Sequence, residues 1–272
     1  MEFYDVKFKK KFGQNFLRND YVVKRIVNSA EIDDNSLVIE VGPGGAIMTR
    51  ELANVAKNVL AYEIDQSLKD ELSKRLTGFD NVKVLFQDFL NSDLCNDVAE
   101  YNYDNLYFVS NVPYYITTPI ILKLLNSGLV FKKIVMMVQK EVGERFSAKP
   151  GSKQYGSISV LLQYYYDIKR EFIVNRKEFV PVPNVDSVVV SFTDKDNKLD
   201  VCDRDFFEKV VRDSFQFRRK TIRNNLKNYD LVKVQNVLNK YNYDLNVRAE
   251  MLDLKIFVDM ANELFKEGYN GR

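Results

Sequence analysis

Short apolar runs alternate with longer segments of helical periodicity over the first two thirds of the chain. "SLVIEV" (36–41), "NVLAYEI" (58–64), "VKVLFQ" (82–87), "NLYFVS" (105–110) and "KIVMMVQ" (133–139) read as buried strands, being short and rich in β-branched and aromatic residues. Amphipathic stretches separate them; in "NDYVVKRIVNSA" the residues Val22, Val23, Ile26 and Val27 share one helical face. Strands alternating with helices predict an α/β fold with a doubly wound, mostly parallel sheet. Two later segments, 167–175 and "DSVVVSF" (186–192), extend that sheet, with antiparallel pairing allowed. The polar "TDKDNKLD" (193–200) has no apolar period and reads as a linker, and 201–272 read as helical throughout. The expected division is a domain over 1–195 and a small all-helical domain over 196–272.

Composition changes this picture chiefly through what is missing. With 272 residues and 46% hydrophobic content the chain can bury a large core, and 29% charge with a net of +2 leaves any basic surface local. It has no histidine, which excludes Ser-His-Asp and Cys-His catalysis and imidazole general bases. Cys95 and Cys202 are far apart and form no CxxC pair, so no disulfide framework and no metal site is expected. The start lacks the apolar core of a signal peptide, and no run approaches the ~18 apolar residues of a membrane span. A cytoplasmic protein with no membrane partner is expected.

Ligands of open parallel sheets sit beyond the carboxyl ends of the strands. Four such ends carry signals here: "EVGPGGAIMTREL" after the first strand, "YEID" with Glu63 after the second, "QDFL" with Asp88 after the third, and "NVPY" after the fourth. A glycine turn followed ~20 residues later by an acid is the dinucleotide-type fingerprint, with backbone near the ligand and the ribose hydroxyls on the carboxylate. A nicotinamide dinucleotide is one candidate, but G-x-G-x-x-G requires glycine at 47, where the chain has Ile47. S-adenosylmethionine has the ribose and adenine without the pyrophosphate, and fits better. "NVPY" then suits an exocyclic adenine amine as methyl acceptor. The side-chain carbonyl of Asn111 and the backbone carbonyl of Val112 can take its two hydrogens and aim its lone pair. Pro113 fixes φ and donates nothing, and Tyr114 offers a stacking face for which phenylalanine would serve.

"KKFGQNFLRND", "EVGPGGAIMTREL", "YEID", "QDFL", "NVPYYITTPI", "AKPGSKQYGSISVLLQYYY", "FVPVPNVDSVVV" and "FQFRRKTIRNNL", in this order over residues 7 to about 228, resemble the ribosomal RNA adenine N6,N6-dimethyltransferases. The small-subunit branch is the most similar. That resemblance implies a Rossmann-like class I S-adenosylmethionine-dependent methyltransferase fold with a helical C-terminal domain. It also implies dimethylation of two adjacent adenosines near the 3′ end of small-subunit (16S) rRNA during ribosome biogenesis. Asn15, Leu17 and Gly42 would border the cofactor, Glu63 would hold its ribose and Asp88 its adenine amine. Asn111 would touch both cofactor and target, and Phe179 would form a second stacking wall opposite Tyr114. Val112 stands where the family commonly has Leu or Ile, and Ala46 where many members have Gly.

Plainer roles stand beside these. "GPGG" can be only a tight turn, Glu63 and Asp88 solvated loop acids, Asn111 a turn cap and Phe179 core packing; Tyr155, Tyr164, Tyr165 and Tyr166 read as packing. Two basic runs contain no acid: Lys7, Lys9, Lys10, Lys11 and Arg18 in one, Arg218, Arg219, Lys220, Arg223 and Lys227 in the other. Lys149 and Lys153 add to them. Phosphate contacts dominate nucleic-acid affinity, so Lys10, Lys11, Lys149, Lys153, Arg218, Arg219, Lys220 and Arg223 are the expected RNA contacts. The expected partner is rRNA within an immature small subunit, engaged by a monomer. Two alternatives remain open: a large-subunit (23S) rRNA adenine methyltransferase of the macrolide-resistance (Erm) group, and an assembly factor whose binding outweighs its catalysis.

Overall fold

The computed structural model describes residues 16–266. The chain divides into two compact units, one of residues up to Gly143 with Lys169–Asp194, the other of Glu144–Ile168 with residues from Lys195 onward.

Seven strands form the sheet: β1 (Ser36–Val41), β2 (Asn58–Tyr62), β3 (Val82–Leu85), β4 (Asn105–Asn111), β5 (Lys133–Gln139), β6 (Tyr166–Val174) and β7 (Ser187–Asp194). Their spatial order is β3-β2-β1-β4-β5-β7-β6. The β1–β2, β1–β4, β2–β3 and β4–β5 pairs are parallel, and β7 runs antiparallel to β5 with Met136 opposite Val190. The run Leu106–Ser110 of β4 and the run Ile134–Val138 of β5 are buried at every position. Continuous burial without alternation is what a parallel sheet covered on both faces requires.

The helices of this unit are α1 (Asp20–Ala30), α2 (Ile47–Ala53), α3 (Lys69–Arg75), α4 (Leu94–Ala99) and α5 (Thr117–Asn126); α6 (Lys140–Phe146) straddles the unit boundary. Helix α1 starts where the Asn19 side chain accepts from the amides of Tyr21 and Val22, which satisfies two donors that the first turn leaves unpaired. It buries Val22, Val23, Ile26, Val27 and Ala30, each fully buried branched residue being worth about 1.5–3 kcal/mol. A two-stranded antiparallel ribbon, Phe16–Leu17 with Phe179–Val180, flanks it. Pro119 is the third residue of α5, where a missing N–H costs nothing because that donor has no intrahelical partner.

The second unit holds α7 (Ser157–Tyr165), α8 (Arg204–Ser214), α9 (Ile222–Asn225), α10 (Leu231–Lys240) and α11 (Leu254–Phe265). Irregular segments separate these helices, so 201–266 is helical in pieces rather than throughout. A single boundary at 195/196 does not describe the division, because Glu144–Ile168 groups with the C-terminal helices. Helix α7 is apolar on several sides, burying Val160, Leu161, Leu162, Tyr164 and Tyr165. Its cover comes from α8, where the Phe207 ring lies 4.8 Å from that of Tyr164 and Glu208 accepts from the Tyr165 hydroxyl at 2.9 Å. Tyr155, Tyr164, Tyr165 and Tyr166 are all buried, in keeping with packing roles. Asn225 is also buried; its amide donates to the carbonyls of Ser214 and Phe217, and its carbonyl accepts from the Phe217 amide, which pins the turn after α8. No helix among the described residues is long and apolar enough to cross a membrane.

Between β1 and α2 the backbone turns through left-handed conformations at Gly42 (φ 74°), Gly44 (φ 52°) and Ala46 (φ 57°). Glycine accepts these angles freely, whereas at Ala46 the methyl costs roughly 1–2 kcal/mol. That methyl is fully buried beside Leu68 and Leu72, which returns about 0.8 kcal/mol, and alanine also loses less chain entropy on folding than glycine. The opposing terms nearly cancel, so Ala46→Gly should change stability by no more than about 1 kcal/mol. Gly44→Ala has no such offset: its Cβ would lie 2.7 Å from Cε1 of Phe16 at a positive φ, and a loss of about 1–3 kcal/mol is expected. Denaturant unfolding of the two variants checks the asymmetry, and a Gly44→Ala protein as stable as wild type would contradict it.

Candidate active site

The carboxyl ends of β1 to β4 open onto one cavity of about 260 Å³. The glycine turn (Gly42–Gly45), Glu63, Asp88 and the run Asn111–Tyr114 all line it. Residues scattered over 70 positions of sequence therefore meet at one place.

Glu63 follows β2, its amide donating to Leu85 at 2.9 Å, and its carboxylate is 4% exposed. One oxygen accepts from the Gly44 amide at 3.3 Å and the other from the Asp65 amide at 2.9 Å. Burial pushes the carboxyl above its ordinary range, and these two backbone donors pull the other way. An ionised carboxylate has about four acceptor positions, so capacity for two further hydroxyl donors remains. Arg75 reaches from α3 to the Gly45 carbonyl at 3.3 Å and holds the turn from behind.

Asp88 is half-buried and does cap a turn: its oxygens accept from the Leu90 amide at 2.9 Å and the Asn91 side chain at 2.8 Å. The turn itself is fixed by Lys123 of α5, which donates to the carbonyls of Leu90 and Ser92, and by Phe89, packed edge-on to Tyr62. Capping and lining coexist in this residue.

Asn111 is the last residue of β4, opposite Met137 of β5. The Ser110 hydroxyl donates to the Val41 carbonyl at 2.7 Å, which fixes the end of β4 against the end of β1. A Cβ on Gly42 would meet Cδ and Cγ of Pro113 at 4.0 Å, so the glycine turn and the "NVPY" loop lie about one methyl group apart. The 3-10 turn Tyr114–Ile116 uses the Pro113 carbonyl for the Ile116 amide and the Tyr114 carbonyl for the Thr117 hydroxyl. Tyr114 is half-buried, with its hydroxyl 2.6 Å from that of Ser187.

Leu17 lines the cavity beside Phe16, as expected for the "GQNFL" segment. Asn15, Lys10 and Lys11 lie outside the described residues. Phe179 requires a correction: it is fully buried and does not line the cavity. Its pairing with Leu17 in the ribbon turns the ring into the core cluster of Val23, Ile26, Met137 and Val189. The ring therefore packs and presents no stacking wall in this conformation.

The remaining basic residues, Lys149, Lys153, Arg218, Arg219, Lys220 and Arg223, are all exposed and belong to the second unit. The Arg218 guanidinium has intramolecular partners, the Lys153 carbonyl and the Glu250 carboxylate. Glu250, 32 residues away, supplies the acid that the local run lacks.

Glu40 is a site residue that pattern reading passed over. It lines the cavity from within β1, 1% exposed, and neither its Oε2 nor the nearby Thr49 hydroxyl completes a hydrogen bond. Burial pushes its carboxyl up to about 8, and the Glu63 charge reinforces this. The signal was an acid inside the otherwise apolar "SLVIEV". Tyr115 and Ile64, both exposed, complete the cavity rim.

Among known proteins, the family described as ribosomal RNA adenine dimethylase matches residues 5–266. The ribosomal RNA small subunit methyltransferase A of Streptococcus gordonii is 45% identical over 277 aligned residues, covering 98% of this chain and 96% of the relative. The protein of the same name from Streptococcus pyogenes serotype M1 is 43% identical, over 96% of this chain and 93% of its own. Of solved structures, a dimethyladenosine transferase from Plasmodium falciparum superposes with a TM-score of 0.73 at 26% identity, covering 90% of this chain and 95% of that one. The 23S rRNA methyltransferase ErmE superposes at 0.74 and 26%, covering 92% and 99%.

The buried Glu40 makes a stability prediction with a definite sign. Its folded pKa of about 8 stands above the reference 4.5, so between those values the native state keeps a proton that the unfolded chain has lost. This contribution is fully present below about pH 4.5 and is lost as pH rises through about 8. Glu40→Gln should therefore raise the Tm of the ligand-free protein at pH 8 by several degrees, with the two proteins converging near pH 5. Thermal unfolding across that range reads the difference, and parallel curves would show that Glu40 is not the cause.

Proposed function

The chain belongs to the ribosomal RNA adenine dimethylase family, and from that premise we infer that it dimethylates the N6 amines of two adjacent adenosines near the 3′ end of small-subunit rRNA, using S-adenosylmethionine. The observation that carries the reading is the single cavity on which Glu63, Asp88, the glycine turn and Asn111–Tyr114 converge. The fold is a Rossmann-like class I methyltransferase sheet, shared with the solved relatives.

The residues present fit the cofactor. Glu63, with spare acceptor capacity, would take the ribose hydroxyls; Asp88 would take the adenine amine; and the unpartnered Glu40 Oε2 would face the ammonium of the methionine end. Gly42 and Leu17 would border it, the first because a bare backbone lets a ligand approach. When bound, the cofactor supplies an electrophilic methyl group on a sulfonium.

This chain's own work is orientation. Asn111 and the Val112 carbonyl would accept from the target amine and turn its lone pair outward, away from delocalisation in the ring. Pro113 adds no competing donor, and Tyr114 would stack on the extruded base, which recovers ~1–3 kcal/mol of lost stacking. No imidazole base is needed, and the chain contains no histidine. Holding the reactants in line is sufficient chemistry for a methyl transfer of this kind.

The exposed Arg219, Lys220 and Arg223, with Lys149 and Lys153, would bind rRNA phosphates, and the substrate would be an immature subunit engaged by a monomer in the cytoplasm. Arg218 would act mainly by fixing the Lys153 loop. The small-subunit assignment rests on the curated relatives at 43–45% identity, against 26% for ErmE. Mass spectrometry of nuclease-digested rRNA, after incubation of immature small subunits with labelled cofactor, tests it. Dimethyladenosine in the small-subunit RNA is expected; a product confined to large-subunit RNA would transfer the assignment to the Erm-like activity.

Glu63→Ala should weaken cofactor binding roughly tenfold or more, since charged hydrogen bonds contribute ~1.5–3 kcal/mol. Calorimetric titration of the folded variant measures this, and unchanged affinity would remove Glu63 from the site. Neutralising Arg219, Lys220 and Arg223 together should lower the salt slope of RNA binding by ~0.7 for each single-stranded phosphate that is no longer neutralised. Cofactor affinity should stay the same, and an unchanged slope would return these residues to a solvated face.

A further inference from the structure

We propose that Ser187 is a positioning residue for methyl transfer, holding the Tyr114 ring by its hydroxyl so that the ring can serve as a fixed platform for the target base. The proposal rests on the methyl-transfer reading of the cavity and assigns the hydroxyl a task that a stacking face alone would not need.

Tyr114 sits in a single 3-10 turn, not in a helix or strand, and it is half-buried at the cavity edge. Its backbone is held by the turn, but a phenol on two side-chain torsions needs a second point of attachment to fix its plane. The separation of 2.6 Å between the Tyr114 and Ser187 hydroxyl oxygens is within the range of a good O–H···O hydrogen bond. Burial raises the Tyr114 phenol above its ordinary value, so it stays a protonated partner.

The anchor is rigid. Ser187 is fully buried and opens β7, where it lies opposite Gln139 at the end of β5. The preceding residue, Asp186, accepts from the Lys140 amide through its carbonyl and from the Arg176 amide through its side chain, both at 3.0 Å. The start of the strand is therefore tied on two sides, and the serine hydroxyl has a set position in the sheet. Phenylalanine at 114 would leave that buried hydroxyl without its partner and would release the ring. Since the base must lie in line with the methyl donor, a small change of ring plane acts on turnover rather than on affinity.

The test is a double-mutant cycle on the full chain, with wild type, Tyr114→Phe, Ser187→Ala and the double variant assayed on immature small subunits. Each single variant should lower kcat by roughly three- to tenfold, with cofactor affinity and subunit KM within about twofold of wild type. The double variant should be no slower than Tyr114→Phe alone, because Ser187 then has nothing to hold. A serine that mattered only for the stability of β7 would cost the same in both backgrounds, and multiplying losses would overturn the proposal. So would wild-type turnover in Ser187→Ala. If Ser187→Ala fails to fold, Ser187→Cys, which keeps the shape with a weak donor, takes its place in the same cycle. Failure of the wild-type chain to methylate any rRNA adenosine would instead remove the parent reading, and this inference with it.

Discussion

The parallel register of β1 and β4 is the constraint on which the site depends. Ser36 lies opposite Asn105 and Ile39 opposite Phe108, and the Ser110 hydroxyl closes onto the Val41 carbonyl at the end of the pair. This brings the glycine turn after β1 level with the proline turn after β4, where a Cβ on Gly42 would lie 4.0 Å from the Pro113 ring. The end of β1 carries the backbone of the glycine turn, and the end of β4 carries Asn111 and the carbonyl of Val112. Chemistry between two bound molecules requires their holders to be neighbours, and a shift of one register step would separate them by roughly 3 Å.

Around that pair the protein uses buried polar groups sparingly and for different purposes. Glu63 is buried but satisfied by two amides, whereas Glu40 is buried and one of its oxygens is not. Buried polar atoms are nearly always paired in native proteins, so an incompletely paired carboxylate at a cavity wall stands out. The far side of the cavity works by shape: Phe89 against Tyr62, with Lys123 holding the turn between Asp88 and α4.

The strands of this fold were legible because continuous apolar runs with polar ends have few other interpretations. The expected ranges 36–41 and 133–139 coincide with β1 and β5 to the residue. Glu63, Asp88 and Asn111 were legible for a related reason, since topology alone sends strand ends to a common place. What a strand position does with its side chain was less so. The "FVPVP" segment located Phe179 but not the ribbon that turns its ring into the core. Glu40 is hidden as one acid in an apolar strand, and the acid-free run around Arg218 conceals its partner because Glu250 is distant in sequence. Pairings of that range are set by folding, not by neighbours.

The chain passes between its two units at 143/144, at 168/169 and again at 194/195. A unit joined through three crossings is not a tail that could have been acquired by fusion at one junction. A gene ending after β7 would encode α7 with Tyr164 and Tyr165 stripped of Phe207 and Glu208, an apolar helix without its cover. A cut at the linker would thus leave α7 uncovered on one fragment and Phe207 and Glu208 without their partners on the other. The helical unit is completed by a segment, α7 included, that lies in sequence between two strands of the sheet.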